Sequence, residues 1–198
     1  MKLNHVVLLV GLVASLPFTV AGAFEAGPQD MPSILPIDTR CSLSVSAPVI
    51  DYGSQSRWQL QDAGGAQMLT PGQRSLMVSV VCPYTQTLRL SLLGDRAANG
   101  DVRYGKHGSV NLHIVDAQVD GQSVPVATLT PQGTVEGAPS ANLRLQPGQN
   151  FAAAKNGKLV KGRSFNARIE IEPVMPQRDA QVTSRQTNES LITLELMD

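Results

Sequence analysis

The sequence predicts an all-β protein built as an antiparallel β-sandwich, and three observations carry that prediction. Apolar and polar residues alternate with a two-residue period in one segment after another, the pattern of strands that bury a single face. Turn-forming pairs separate these segments: Gly64-Gly65, Pro71-Gly72, Asn99-Gly100, Asp120-Gly121, Pro147-Gly148 and Asn156-Gly157. Cys41 and Cys82 share parity with the apolar residues of their own strands, so both point into the same core. Many short strands with turns at this spacing make a sandwich.

Taken in order, residues 1–23, "MKLNHVVLLVGLVASLPFTVAGA", carry an early lysine, an apolar run and the small-residue triplet Ala21-Gly22-Ala23. That is the grammar of a secretory signal peptide, and the mature protein is expected to start near Phe24. The apolar run is broken by Ser15 and Pro17 and is too short to be retained as a membrane span. Residues 24–40 form an extension in which Met31, Ser33, Leu35 and Ile37 share a parity that continues into Cys41. It reads either as an extended strand awaiting a partner or as a leader, since Pro32 and Pro36 each remove a backbone donor.

The sandwich domain is assigned to residues 41–198. Its strands follow the apolar series Cys41-Leu43-Val45, Leu76-Val78-Val80-Cys82, Leu88-Leu90-Leu92, Val110-Leu112-Ile114, Val124-Val126, Leu143-Leu145 and Phe165-Ala167-Ile169-Ile171. Asp120-Gly121, between "HIVDAQV" and "QSVPVAT", predicts a tight hairpin with positive φ at both turn residues. "NFAAAKNGK", residues 150–158, is the one place that accommodates a helical turn, and residues 172–190, polar with two prolines, read as a surface excursion. The last strand alternates Ile192, Leu194 and Leu196 with Thr193, Glu195 and Met197.

The protein has 16 basic and 16 acidic residues, and losing Lys2 with the leader leaves a net charge of −1. No basic patch offers phosphate neutralisation and no amphipathic segment offers a membrane surface, so neither nucleic acid nor membrane insertion is expected. In an exported protein the two cysteines default to one disulfide; the alternative is a pair of free buried thiols.

No catalytic constellation emerges. His107 lies in a glycine-flanked turn and His113 on the outward parity of its strand, with neither near a nucleophile motif. Two imidazoles without cysteine or carboxylate support at ligand spacing are more often surface residues than a metal site. Glu170 and Glu172 fall on one side of a single strand, where they cannot flank a sugar as a glycosidase pair does. Asn188-Glu189-Ser190 matches a glycosylation sequon by composition alone. The expectation is a non-enzymatic protein without cofactor or metal.

"CSLSVSAPVIDYGSQSRWQL" followed by "RSLMVSVVCPYTQTLRLSLLG" resembles the front half of a chaperone-usher fimbrial subunit, the pilin family of type 1 and P pili. The matching features are the leader, the short extension, a cysteine in the first strand, the aromatic-glycine pair Tyr52-Gly53 and a second cysteine closing the next main strand. "FNARIEIEP" and the last strand fit the back half. The resemblance implies an immunoglobulin-like sandwich that lacks its final strand, leaving an apolar groove for a strand from another molecule. The partners it implies are a periplasmic chaperone, an outer-membrane usher and other fimbrial subunits, with a host receptor as a further possibility. The implied route is export to the periplasm and assembly at the cell surface.

Carried onto this sequence, the resemblance places Ile192, Leu194 and Leu196 toward the groove and makes the Asp198 carboxylate an anchor for basic chaperone residues. Met31, Ser33, Leu35 and Ile37 become the donor strand, with Ser33 or Gly27 at its narrowest pocket. Family members commonly end on a penultimate tyrosine, where this protein has Met197, and carry a glycine in the extension, where it has Ser33 and two prolines. The first departure bears on ordinary chaperone docking, and the second suits a minor or specialised subunit, or a divergent branch. Two other classes compete: a single-domain tip component or self-contained secreted sandwich that binds a host glycan or protein, using residues 172–190, and an exported enzyme dependent on His107 or His113.

Overall fold

A computed structural model describes residues 40–65, 67–182 and 184–197. Residues 1–23, read above as a leader, the extension residues Met31, Ser33, Leu35 and Ile37, and the terminal Asp198 lie outside the described residues. In sequence order the strands are β1 (Ser42–Val45), β2 (Gln61–Asp62), β3 (Met68–Thr70), β4 (Arg74–Thr87) and β5 (Arg89–Gly94). They continue as β6 (Val102–Tyr104), β7 (Gly108–Val119), β8 (Gln122–Ser123), β9 (Val126–Leu129) and β10 (Val135–Ser140). The last are β11 (Asn142–Leu145), β12 (Gln149–Lys155), β13 (Lys158–Leu159), β14 (Lys161–Pro176) and β15 (Ile192–Met197).

These strands form two antiparallel sheets packed as a sandwich. In the first, β1, β4, β14 and β7 lie side by side; β6, β8 and β11 pair with β7, and β3 and β2 continue from the end of β14. The second runs β10-β9-β12-β5-β15, with β13 on β12. The two-residue period sends Val78, Val80, Cys82, Leu112, Ile114, Phe165, Ala167 and Ile169 inward from the first sheet. They meet Leu90, Leu92, Val126, Phe151 and Ala153 from the second in one continuous core.

At several crossings the backbone passes from one sheet to the other through only one or two residues. Buried Leu88 separates β4 from β5, Val160 separates β13 from β14, and Val124-Pro125 separates β8, on the first sheet, from β9, on the second. Val124 is therefore a half-buried pivot and not the strand residue expected, because Pro125 cannot donate to a ladder. The cysteines form the expected bond, Cys41 to Cys82. The β1–β4 register explains it: Ser42 opposes Val81, so the next pair outward is Cys41 opposite Cys82.

Asp120 and Gly121 turn with φ of 48° and 78°, as the hairpin reading required, and join β7 to β8. The Asp120 carboxylate also accepts hydrogen bonds from the Ser164 N–H at 2.8 Å, the Arg163 N–H at 3.0 Å and the Ser164 hydroxyl at 3.1 Å, tying the turn to β14. These bonds, the Ser164 amide first and the Arg163 amide next, hold the Asp120 carboxyl below the usual carboxylate range. A lowered folded pKa contributes stability above the unfolded pKa that is lost as pH falls through the folded value. Asp120→Asn keeps the turn chemistry and is expected to unfold at lower urea than the parent at neutral pH. The gap should close progressively in acid; a gap independent of pH would show that the charge contributes nothing.

Two longer segments also depart from the sequence expectation. Residues 150–158 hold no helical turn: Phe151 to Ala154 are all buried within β12, which lies between β9 and β5, and Asn156-Gly157 makes the hairpin to β13. Tertiary pairing overrides the helical propensity of three alanines. The excursion at 172–190 begins only after Pro176, because β14 runs on past Ile171, burying Val174 and Met175 and pairing Met175 with Leu69.

Candidate functional site

The site is built from two of the sandwich's outer edges, β1 on the first sheet and β15 on the second. β1 pairs only with β4 and β15 only with β5, so among the described residues each leaves one edge of backbone donors and acceptors without a neighbouring strand. Register shows which side chains share the inner face. Leu43 opposes Val80, Leu194 opposes Leu92 and Leu196 opposes Leu90; Val80, Leu90 and Leu92 are fully buried. Leu43, Ile192, Leu194 and Leu196 pack against the core yet stay half-buried.

The alternation along β15 is strict up to its end, with Thr193 and Glu195 exposed between the leucines. Along β1, Ser42 and Ser44 point outward, and Val45, on the inward parity, is 37% exposed. The expected placement of Val45 in the core thus gives way at the sheet margin, where nothing described covers it. The inner positions of each edge strand thus form an apolar row that the described residues only half cover.

The start of β1 and the end of β15 meet at one cleft of about 620 Å³. Cys41 lines it at the start of β1, Leu196 and Met197 at the end of β15, and Thr87, Leu88 and Leu159 complete the lining. Arg40 and Arg89 bring positive charge to it. The disulfide holds the β1 side of the cleft in place by fixing Cys41 to Cys82, next to Val81 where the unbroken pairing of β4 with β14 ends. Two ladder edges offer directional hydrogen-bonding groups and alternate apolar side chains offer pockets, the two features that recognition of an extended peptide strand uses.

No protein-family model matches the sequence, and no curated protein matches it.

The remaining sequence candidates are scattered. His107 Nδ1 lies 3.0 Å from an Asp179 carboxylate oxygen, whereas His113 Nδ1 lies 2.6 Å from Asn142 Oδ1 on the outer face of the first sheet. Glu170 pairs with Arg168, and Glu172 accepts from Asn111 Nδ2 at 3.3 Å. Both glutamates border a shallow polar basin of about 200 Å³ with His113. Among the described residues no group of three or more His, Cys, Asp and Glu could hold a metal ion. No helix among them is long and apolar enough to cross a membrane.

Two structural roles escaped the sequence reading. Tyr52 does more than mark a motif: its hydroxyl donates to the Ile171 carbonyl at 3.1 Å, and Arg74 lies 5.9 Å from its ring centroid. Burial pushes the phenol up to about 12 against the opposing pull of Arg74. Together these contacts clamp the loop after β1 across β14. Asp101, fully buried, accepts from Arg144 Nε at 3.1 Å and from Asn99 Nδ2 at 2.7 Å, joining the turn before β6 to β11. A buried carboxylate is tolerated only when paired in this way, and only the proximity of "NGD" to a turn hinted at it.

Proposed function

We propose that the protein is a structural subunit of a surface fimbria, in which a strand from another molecule completes the sandwich between β1 and β15. The observation that carries this reading is the pair of unpartnered edges whose ends meet at one cleft, with Leu43, Ile192, Leu194 and Leu196 only half-buried along them. Such an edge is an aggregation hazard unless something covers it. A strand from a periplasmic chaperone would cover it first, during export and delivery to an outer-membrane usher. The extension of the next subunit, through Met31, Ser33, Leu35 and Ile37, would then replace it. The resemblance around Cys41, Tyr52-Gly53 and Cys82 supports the same assignment, as does the leader. The fibre so formed would contribute to cell adhesion.

The test compares residues 41–198 alone with the same core carrying residues 24–40 fused behind Asp198 through a flexible linker. Covering the open row should raise the thermal midpoint by at least several degrees, since about 1 kcal/mol moves a domain of this size by roughly 2–4 °C. A bare core that melts cooperatively at the same temperature as the fusion would make the sandwich self-sufficient and remove the reading.

A further inference from the structure

Three exposed turns in this protein place Asn or Asp directly before Gly: Asn99-Gly100, Asp120-Gly121 and Asn156-Gly157. Such pairs are chemically labile, because a glycine amide nitrogen, unshielded by a side group, can reach the γ-carbon of the preceding residue and close a five-membered ring. Exposure does not separate the three; hydrogen bonding does.

Asn99 is held at both ends of its amide. Nδ2 donates to Asp101 Oδ2 at 2.7 Å and to Ser109 Oγ at 3.0 Å, while Oδ1 accepts from the Asp101 N–H at 3.2 Å. The attacking nitrogen is occupied too, since the Gly100 N–H donates to the Ala97 carbonyl at 3.0 Å. Asp120 has one carboxylate oxygen surrounded by three donors and is kept ionised, a form with no leaving group that departs readily. Around Asn156-Gly157, among the described residues, no hydrogen bond reaches the Asn156 amide group or the glycine N–H. The strand that follows the turn, β13, has only two residues, so the hairpin end opens at little cost to the geometry that ring closure needs.

We infer that Asn156 is a site of spontaneous deamidation, the position at which the folded protein ages first. The Gly157 nitrogen attacks Asn156 Cγ, a new bond forms between them, and the Cγ–Nδ2 bond breaks. Ammonia leaves carrying the proton that Gly157 gives up. Water then opens the succinimide at either carbonyl: addition at Cγ breaks the bond from Cγ to the Gly157 nitrogen and gives aspartate, whereas addition at the Asn156 backbone carbonyl carbon breaks the bond from that carbon to the nitrogen and gives isoaspartate.

The two products differ in consequence. Aspartate keeps the two-residue turn and sets a carboxylate between Lys155 and Lys158, which oppose each other across the hairpin. Isoaspartate lengthens the backbone of a turn whose length fixes that register. Leu159, the next residue of β13, lines the cleft beside β15, so the damage lies at its margin.

The test incubates the full-length protein in mildly alkaline buffer, native and in denaturant, and follows each peptide by mass after digestion, with enzymatic detection of isoaspartate. In the native protein Asn156 should lose its amide roughly tenfold or more ahead of Asn99, the protection expected when local opening must first break several hydrogen bonds. In denaturant the two Asn-Gly pairs should converge. Equal native rates at Asn99 and Asn156 would overturn the inference. So would an Asn156 amide that persists in the native protein while the unfolded form loses it.

Discussion

Replacing Cys41 and Cys82 together by serine is expected to lower the unfolding free energy by about 4 kcal/mol. The bond spans 41 residues of sequence, and by the loop-entropy argument closing a loop of that length restrains the unfolded state by about this much. Urea denaturation of the parent and the double variant, both without reductant, reads the difference directly. A loss below about 1 kcal/mol would mean that the unfolded state is already restrained, or that the native bond stores an offsetting cost.

The same variant probes the groove. β1 is four residues long, pairs on one side only, and is anchored at its start by the disulfide. Without that anchor one wall of the cleft is free to leave β4. The stabilisation gained by fusing residues 24–40 should therefore shrink in the serine background, a coupling that a double-mutant cycle isolates. Additive effects would place the added strand somewhere other than beside β1.

The second large effect is expected at the centre of the sandwich. Phe165 is fully buried in β14, opposite Val80 on one neighbouring strand and Val119 on the other. Truncation removes a ring that both sheets pack against and leaves a void that paired backbones on either side cannot close. Phe165→Ala should cost about 3–5 kcal/mol, or roughly 10 °C in midpoint for a domain of this size. Met77, on the outer face of the neighbouring β4 and 46% exposed, supplies the control: Met77→Ala should stay within about 0.5 kcal/mol of the parent. A small loss at Phe165 would require the two sheets to move together, and a change in the slope of the urea transition would report it.

What the sequence alone determined is whatever depends on local period and turn chemistry. Alternation located β1, β4, β5, β7, β11, β14 and β15, because residues two apart share a face whichever strand lies alongside. The Asp120-Gly121 hairpin was legible because positive φ at two successive positions selects few residue types. The cysteine pairing was legible because parity put both sulfurs on one face. The inward leucines of β15 were likewise read correctly as to face.

Burial and partnership were decided by the tertiary structure. Ala152, Ala153 and Ala154 carry no period, and only the flanking β5 and β9 make them a strand. β14 outruns its legible pattern because β7 and β3 pair with residues whose own alternation has lapsed at Pro173 to Pro176. Half-burial of Leu43, Ile192, Leu194 and Leu196 depends on what lies beyond an edge, which no local pattern encodes. The same holds for the Asp101–Arg144 pair and for the contrast between Asn99 and Asn156. Identical Asn-Gly dipeptides differ there only through hydrogen bonds formed, or not formed, by the surrounding fold.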